Sequence, residues 1–68
     1  MAVANAKGFA ERMATGAAID LEATVADYER TLVRAALATT GDNLTEAAML
    51  LGISFRQIRY KVRQLGIR

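Results

Sequence analysis

The 68-residue chain carries a net charge of +2, is long enough for one small domain, and contains neither Cys nor His. Disulfides, the usual structural zinc sites, cysteine nucleophiles and histidine general bases are therefore excluded. No stretch approaches the ~20 consecutive apolar residues that span a bilayer, and the first residues lack the pattern of a secretion signal. We expect a cytoplasmic protein that is not an enzyme, holds no metal or cofactor, takes no small-molecule substrate and enters no membrane.

The composition indicates an all-α fold. Hydrophobic residues make up 53% of the chain, aromatic residues only 6%, and there is no Pro. Ala, Leu, Arg and Glu are abundant, and these residues lose little conformational freedom in a helix. Because a chain of this length buries only about 60% of its unfolded surface, we expect close helix packing or self-association to complete the core.

The charges are distributed unevenly along the chain. Residues 54–68 carry five basic residues and no acidic one, whereas residues 1–53 carry four basic and seven acidic residues. The two segments therefore have net charges of +5 and −3, which sum to the +2 of the whole chain. A basic end on a mildly acidic body suggests an element that faces a polyanion. Charge alone does not distinguish this arrangement from a helix whose basic end complements its dipole.

Residues 1–19 are predicted to form either a linker or a weak N-terminal helix, and the pattern leaves both alternatives open. The segment is rich in Ala and is interrupted by Gly8 and Gly16. A helix over about residues 3–14 would have a weak apolar stripe made of Val3, Phe9, Ala10 and Met13.

The first strongly periodic helix is predicted over residues 21–39, within a dimerisation segment that spans 20–40. Asp20 is a suitable N-cap, and Gly41 ends the helix. The apolar arc of this helix is wider than one neighbouring helix needs, so part of it is expected to cover a second copy of the chain. The residues assigned to this dimer face are Leu21, Val25, Tyr28, Leu32, Val33 and Ala36. The polar residues predicted on the opposite side are Asp27, Arg30 and Arg34.

Two shorter helices, over about 44–51 and 55–65, are predicted to form a helix-turn-helix unit within residues 43–68. Each begins at a capping box, and each is followed by a glycine. The capping pairs are Asn43 with Glu46 and Ser54 with Gln57, and the glycines are Gly52 and Gly66. Two small residues, Ala47 and Ala48, allow another helix to approach closely. Ile53 and Ile58 lie where a hydrophobic staple packs.

The last helix has a basic outer face, which is the candidate binding surface. Its basic and aromatic residues fall within about 100° on the helical wheel, opposite the apolar residues Ile58, Val62 and Leu65. The members of this face are Arg56, Arg59, Tyr60 and Arg63. Such a face can contact phosphates and guanine edges in a major groove. The alternative is a solvated face, or a helical protein-interaction or oligomerisation module that meets an acidic partner.

The sequence over residues 32–67 resembles the Fis-type DNA-binding domain that ends the NtrC family of sigma-54-dependent transcriptional activators. The residues that carry the resemblance are A-L-A-T-T-G-D-N-L-T-E-A-A-M-L-L-G-I-S, followed by K-V-R-Q-L-G-I. Many members have a basic residue where this chain has Phe55. The string F-R-Q-I-R-Y-K resembles the variant of a PilR-type subgroup.

The resemblance implies roles for individual residues. Asn43 and Thr45 would lie near the DNA backbone, and Ser54 would cap the recognition helix and touch a phosphate. Gln57, Arg59 and Tyr60 would occupy positions that face the bases or the groove, and Lys61 would lie close to the DNA backbone. Arg56 and Arg63, from the basic outer face, complete the set of candidate DNA-binding residues. Phe55 is included among the candidate DNA-binding residues, where it would meet a thymine methyl group; the alternative, which its helical spacing with Ile58 and Val62 favours, is that it packs inward as a core residue.

The resemblance also implies partners. Double-stranded DNA is the expected ligand, and the helix upstream of the motif would hold a homodimer. A twofold dimer places two recognition helices about 34 Å apart and demands a palindromic site. Complete family members add an ATPase domain and often the receiver domain of a two-component system, and no phosphate-binding G-x-x-x-x-G-K-[ST] loop is present here. We therefore expect a segment of such an activator, with a free-standing, nucleoid-associated Fis-like protein as the alternative.

Overall fold

A computed structural model describes residues 6–67 of the chain, and four helices occupy most of that range. They are α1 (Ala6–Ala14), α2 (Leu21–Thr39), α3 (Leu44–Leu51) and α4 (Phe55–Gln64). Residues 6–67 contain no strand, so the all-α prediction is confirmed for them. None of the four helices is long and apolar enough to cross a membrane.

The boundaries of α2 are those predicted from its caps. The Asp20 carboxylate accepts a hydrogen bond of 2.9 Å from the backbone N–H of Ala23, which satisfies one of the free donors in the first turn. At the other end, the Asp42 N–H donates to the Leu37 carbonyl over 2.7 Å while Gly41 adopts a φ of 65°. Asp42 is also left-handed, with a φ of 70°, so two successive residues turn the chain between α2 and α3.

The two ends of α3 are also set locally. The Asn43 side chain accepts a 3.0 Å hydrogen bond from the Glu46 N–H. Among the described residues only this half of the predicted capping box is formed, so the reciprocal bond from Glu46 was wrongly expected. Gly52 has a φ of 68°, and the next N–H, that of Ile53, donates to the Ala48 carbonyl over 3.0 Å.

Substitution of Gly52 tests this backbone requirement. Nothing lies within 4 Å of a Cβ placed there, so a Gly52→Ala variant meets no clash and only its left-handed backbone is strained. We expect the free energy of unfolding to fall by about 1 kcal/mol in urea titrations. Gly8→Ala is the matched control because that position lies inside α1 and is equally open. This control should leave the free energy of unfolding unchanged or raise it slightly. Equal losses of that free energy in the two variants would contradict the assignment of backbone strain to position 52.

Helices α2, α3 and α4 pack together around one small core. The buried members of this core are Val33, Ala36 and Leu37 of α2, Ala47 and Ala48 of α3, Ile58 and Val62 of α4, and Leu65. Because Ala47 and Ala48 are almost completely buried and small, α3 lies close to its neighbours. Leu44, Leu51, Ile53 and Ile67 cover the edges of the core.

Helix α1 contacts α2 through an aromatic pair. The rings of Phe9 and Tyr28 meet edge to face with their centroids 6.1 Å apart. Within α1, the guanidinium carbon of Arg12 lies 5.0 Å from the centre of the Phe9 ring. The helix starts at Ala6, and Val3 of the predicted stripe lies outside the described residues.

Arg30 joins α2 to the end of α4, which differs from its predicted position on the polar side of α2. Its Nε donates to the carbonyl of Leu65 over 3.1 Å, and its Nη1 lies 2.8 Å from the Asp27 carboxylate. The last carbonyls of a helix have no partner within the helix, and a cation there also complements the dipole. The length of the arginine side chain lets it reach this site from the edge of the apolar arc.

Candidate nucleic-acid interface

The turn between α3 and α4 fixes the start of the second helix through a complete capping box. The Ser54 hydroxyl accepts from the Gln57 N–H over 3.0 Å, and the Gln57 side-chain oxygen accepts from the Ser54 N–H over 2.8 Å. The predicted pairing is therefore confirmed. The side-chain oxygen of Gln57 uses one of its two lone pairs in this bond, and its NH₂ group remains able to donate to a base.

The inner face of α4 holds the helix against the rest of the chain. Ile58 is 0% exposed, Val62 is buried, and Ile53 packs against the core beside them. The apolar side of α4 therefore faces α2 and α3, as the spacing of its apolar residues predicts. This packing determines which side chains of α4 point to solvent.

The outer face of α4 forms one shallow groove, which we call the basic face. Its side chains are Phe55, Arg56, Arg59, Tyr60 and Arg63, and all five are exposed. Three guanidinium groups lie on it, and residues 54–68 contain no acidic residue that could neutralise them locally. The arrangement presents planar hydrogen-bond donors to an anionic or guanine-rich surface.

Phe55 does not pack inward, so the prediction that it is a core residue is wrong. It is 46% exposed, and the guanidinium carbon of Arg59 lies 5.7 Å from the centre of its ring. Ile53 takes the expected place, because as the residue before the N-cap it packs against the core at this end of α4. Phe55 is therefore the apolar member of the basic face.

Lys61, which is expected to lie close to the DNA backbone, forms an ion pair within the chain. Its ammonium group donates to the Glu29 carboxylate of α2 over 3.1 Å, and its side chain is only 28% exposed. The Glu29–Lys61 pair is a second polar link between α2 and α4, in addition to the hydrogen bond from Arg30 to Leu65. No local pattern in the sequence points to it, because Glu29 and Lys61 lie 32 residues apart.

Asn43 and Thr45 stand at the N-terminus of α3, apart from the groove of the basic face. Both are exposed, and the Asn43 side chain is engaged in capping α3. Ser54 is exposed at the N-terminus of α4, where its hydroxyl proton can still be donated while its oxygen accepts from Gln57. The structure thus places three of the predicted backbone contacts at helix N-termini, which favour anions.

The predicted dimer face divides into two parts. Leu21, Val25 and Leu32 are exposed, with Leu21 at 73%, and Tyr28 is half-buried against Phe9. Val33 and Ala36 were placed on this face but are buried in the core of the single chain, so they are not accessible to a second copy. The hydroxyl of Tyr28 is buried without a hydrogen-bond partner among the described residues.

Exposed apolar residues also lie outside the basic face and the predicted dimer face. They are Met49 and Leu50 of α3, which no sequence pattern singled out, and Met13 of α1, which belongs to the weak apolar stripe predicted for that helix. The exposure of the α3 pair follows from the helical wheel, since Ala47 and Ala48 turn the opposite side of α3 toward the core. Residues 6–67 contain no group of three acidic side chains arranged to hold a metal ion.

Comparison with known proteins gives two matches of different kinds. The family described as bacterial regulatory protein, Fis family, matches residues 24–65, which is more than half of the chain. Response regulator protein PilR of Pseudomonas aeruginosa is 46% identical over 48 residues, which cover 71% of this chain and 11% of that protein. The chain therefore spans about a tenth of the length of this relative. No solved structure matches the chain.

Proposed function

The chain belongs to the Fis family of bacterial regulatory proteins, and from this premise we propose that it is the DNA-binding module of a sigma-54-dependent transcriptional regulator. The observation that carries the proposal is the basic face: three arginines on one exposed side of α4, whose other side is anchored in the core. Such a helix enters the major groove, where its exposed side meets the edges of the bases.

Each part of the helix-turn-helix unit has a role in this proposal. Arg59 donates two hydrogen bonds to a guanine, as arginine does at its commonest specific contacts. Arg56 and Arg63 neutralise phosphates on either side of the groove, and Ser54 donates to a phosphate from the N-terminus of α4. The Glu29–Lys61 pair and the Arg30–Leu65 bond hold α4 at a fixed angle to α2.

We further propose that the module works as a homodimer. The exposed apolar residues Leu21, Val25 and Leu32 lie on α2 upstream of the recognition helix, and a second copy would remove them from water. A twofold dimer then presents two copies of α4 to successive turns of the groove, about 34 Å apart. The site would be a palindrome. An ATPase domain and a receiver domain in a longer protein would supply the regulation.

Selection from a pool of random DNA duplexes at physiological salt tests the proposal. The 68-residue chain and a version dimerised by an added coiled coil are each used for the selection. We expect both to enrich a palindrome whose half-sites lie one helical turn apart, with tighter binding by the enforced dimer. Failure of both proteins to enrich any sequence would contradict specific DNA binding and would favour the basic face as a docking surface for an acidic protein. Enrichment of an asymmetric single half-site by both would contradict the dimer.

A further inference from the structure

Phe55 is an exposed aromatic residue at the first position of α4, and it has the one purely hydrocarbon side chain among the five of the basic face. Nearly half of its surface is exposed, and it lines the groove of the basic face with Arg56 and Arg59. Exposed large apolar residues in this setting are typical of binding surfaces, because solvation of a phenyl ring is unfavourable. The core does not need the ring, since Ile53 and Ile58 already fill the adjoining interior.

Arg59 and Phe55 form a pair on this surface. The guanidinium carbon lies 5.7 Å from the ring centroid, within the range of a cation–π contact. The contact joins residues one turn apart and restricts the rotamers of both, so the donors of Arg59 are held beside an apolar surface. A ligand that fits this pair offers an apolar group next to a hydrogen-bond acceptor.

The major groove of DNA presents that combination at thymine. Thymine is the base whose groove edge carries a methyl group, and guanine offers the acceptors that arginine prefers. The first turn of a recognition helix is the part that approaches the base edges. Resting on the proposed function, we infer that Phe55 determines specificity by contacting a thymine 5-methyl group while Arg59 binds a neighbouring base.

Replacement of thymine by uracil removes that methyl group and leaves every hydrogen-bonding edge unchanged, so it isolates the contact. Random duplex pools are synthesised with either dTTP or dUTP. Each pool is selected in parallel for binding to the wild-type chain and for binding to the Phe55→Ala variant. In the thymine pool we expect the wild type to prefer thymine at one position of each half-site. In the uracil pool we expect it to lose its preference for a particular base at that position. Duplexes of the enriched sequence with a single thymine replaced should bind the wild type about fourfold more weakly, the effect expected for one buried methyl group.

The variant is expected to bind thymine and uracil duplexes equally. Met49→Ala is the control, because it removes an exposed apolar side chain of α3 outside the basic face and should keep the full thymine preference. Circular dichroism of each variant establishes that it is folded. Equal binding of thymine and uracil duplexes by the wild type, after successful enrichment, would overturn the inference and leave the proposed function intact. No enrichment from the thymine pool, by the chain or by its enforced dimer, would instead contradict the proposed function and this inference together.

Discussion

Replacement of Ile58 by Ala should lower the free energy of unfolding by about 3 kcal/mol, the largest effect on stability that we expect from a single substitution. Ile58 is 0% exposed and is part of the cluster that joins α2, α3 and α4. The same cluster contains three alanines, Ala36, Ala47 and Ala48, whose short side chains have few atoms to move into a cavity. Such a cavity collapses poorly, and the lost contacts add to the lost transfer free energy.

The loss is large relative to the stability of so small a domain. Folded proteins are commonly stable by only about 5–15 kcal/mol, and a chain of this size belongs at the lower end. Urea titration followed by circular dichroism measures the change, at one fixed protein concentration because self-association would raise the apparent stability. Ile58→Val should lose about 1 kcal/mol. Leu50→Ala removes an exposed leucine of α3 and should be nearly neutral. Similar losses for Ile58→Ala and Leu50→Ala would contradict the packing.

The helices were predictable because their ends depend on neighbouring residues. Asp20 and Ser54 accept hydrogen bonds from N–H groups only three residues further along the chain. Gly52 similarly occupies the left-handed position that ends α3. These interactions are local, so a sequence pattern contains all their members. The predicted bounds of α2 and α3 accordingly agree with the observed helices.

The side-chain partners of the recognition helix were not predictable in the same way. Arg30 and Leu65 are 35 residues apart in the chain, and their contact depends on the angle at which α2 passes α4. A helical wheel gives the direction of each side chain around the helix axis. It does not show how far along that axis the neighbouring helices cover it. This is why Val33 was assigned to a dimer face, although it is buried within one chain, and why Phe55 was assigned to the core, although it is exposed.

The basic face itself followed from the wheel, since its members share one side of a single helix. Arg56, Arg59 and Arg63 were predicted together and line the same groove. Lys61 shares their charge but belongs to another direction on the wheel, and Glu29 holds it toward α2. The sign of the charge therefore does not show by itself which basic side chains belong to the basic face, because the direction of each side chain relative to the core is also required.

Arg59→Ala should weaken specific DNA binding by about 10- to 100-fold, the range expected when a bidentate contact to guanine is removed. Arg34→Ala is the matched control, because it also removes one exposed arginine but does so on α2, outside the basic face. Its affinity for the selected duplex should stay within about twofold of the wild type, an allowance for long-range charge effects at physiological ionic strength. Titration of each variant with the duplex enriched by the wild type measures both values. Equal affinities for the two variants would contradict the assignment of the binding face to α4.

The salt dependence of binding separates a base contact from a phosphate contact at Arg59. Each neutralised phosphate contributes about −0.9 to the slope of log K against log salt concentration. A base contact carries no such term, so Arg59→Ala should lose affinity at every salt concentration with little change in slope. Arg63→Ala, as a proposed phosphate contact, should reduce the slope by about 0.9 and weaken specific and nonspecific duplexes alike. A reduced slope for Arg59→Ala, with equal weakening of nonspecific duplexes, would reassign Arg59 to the DNA backbone. The base contact would then fall to Arg56 or Gln57, the two residues of the first turn whose side chains can donate to a base.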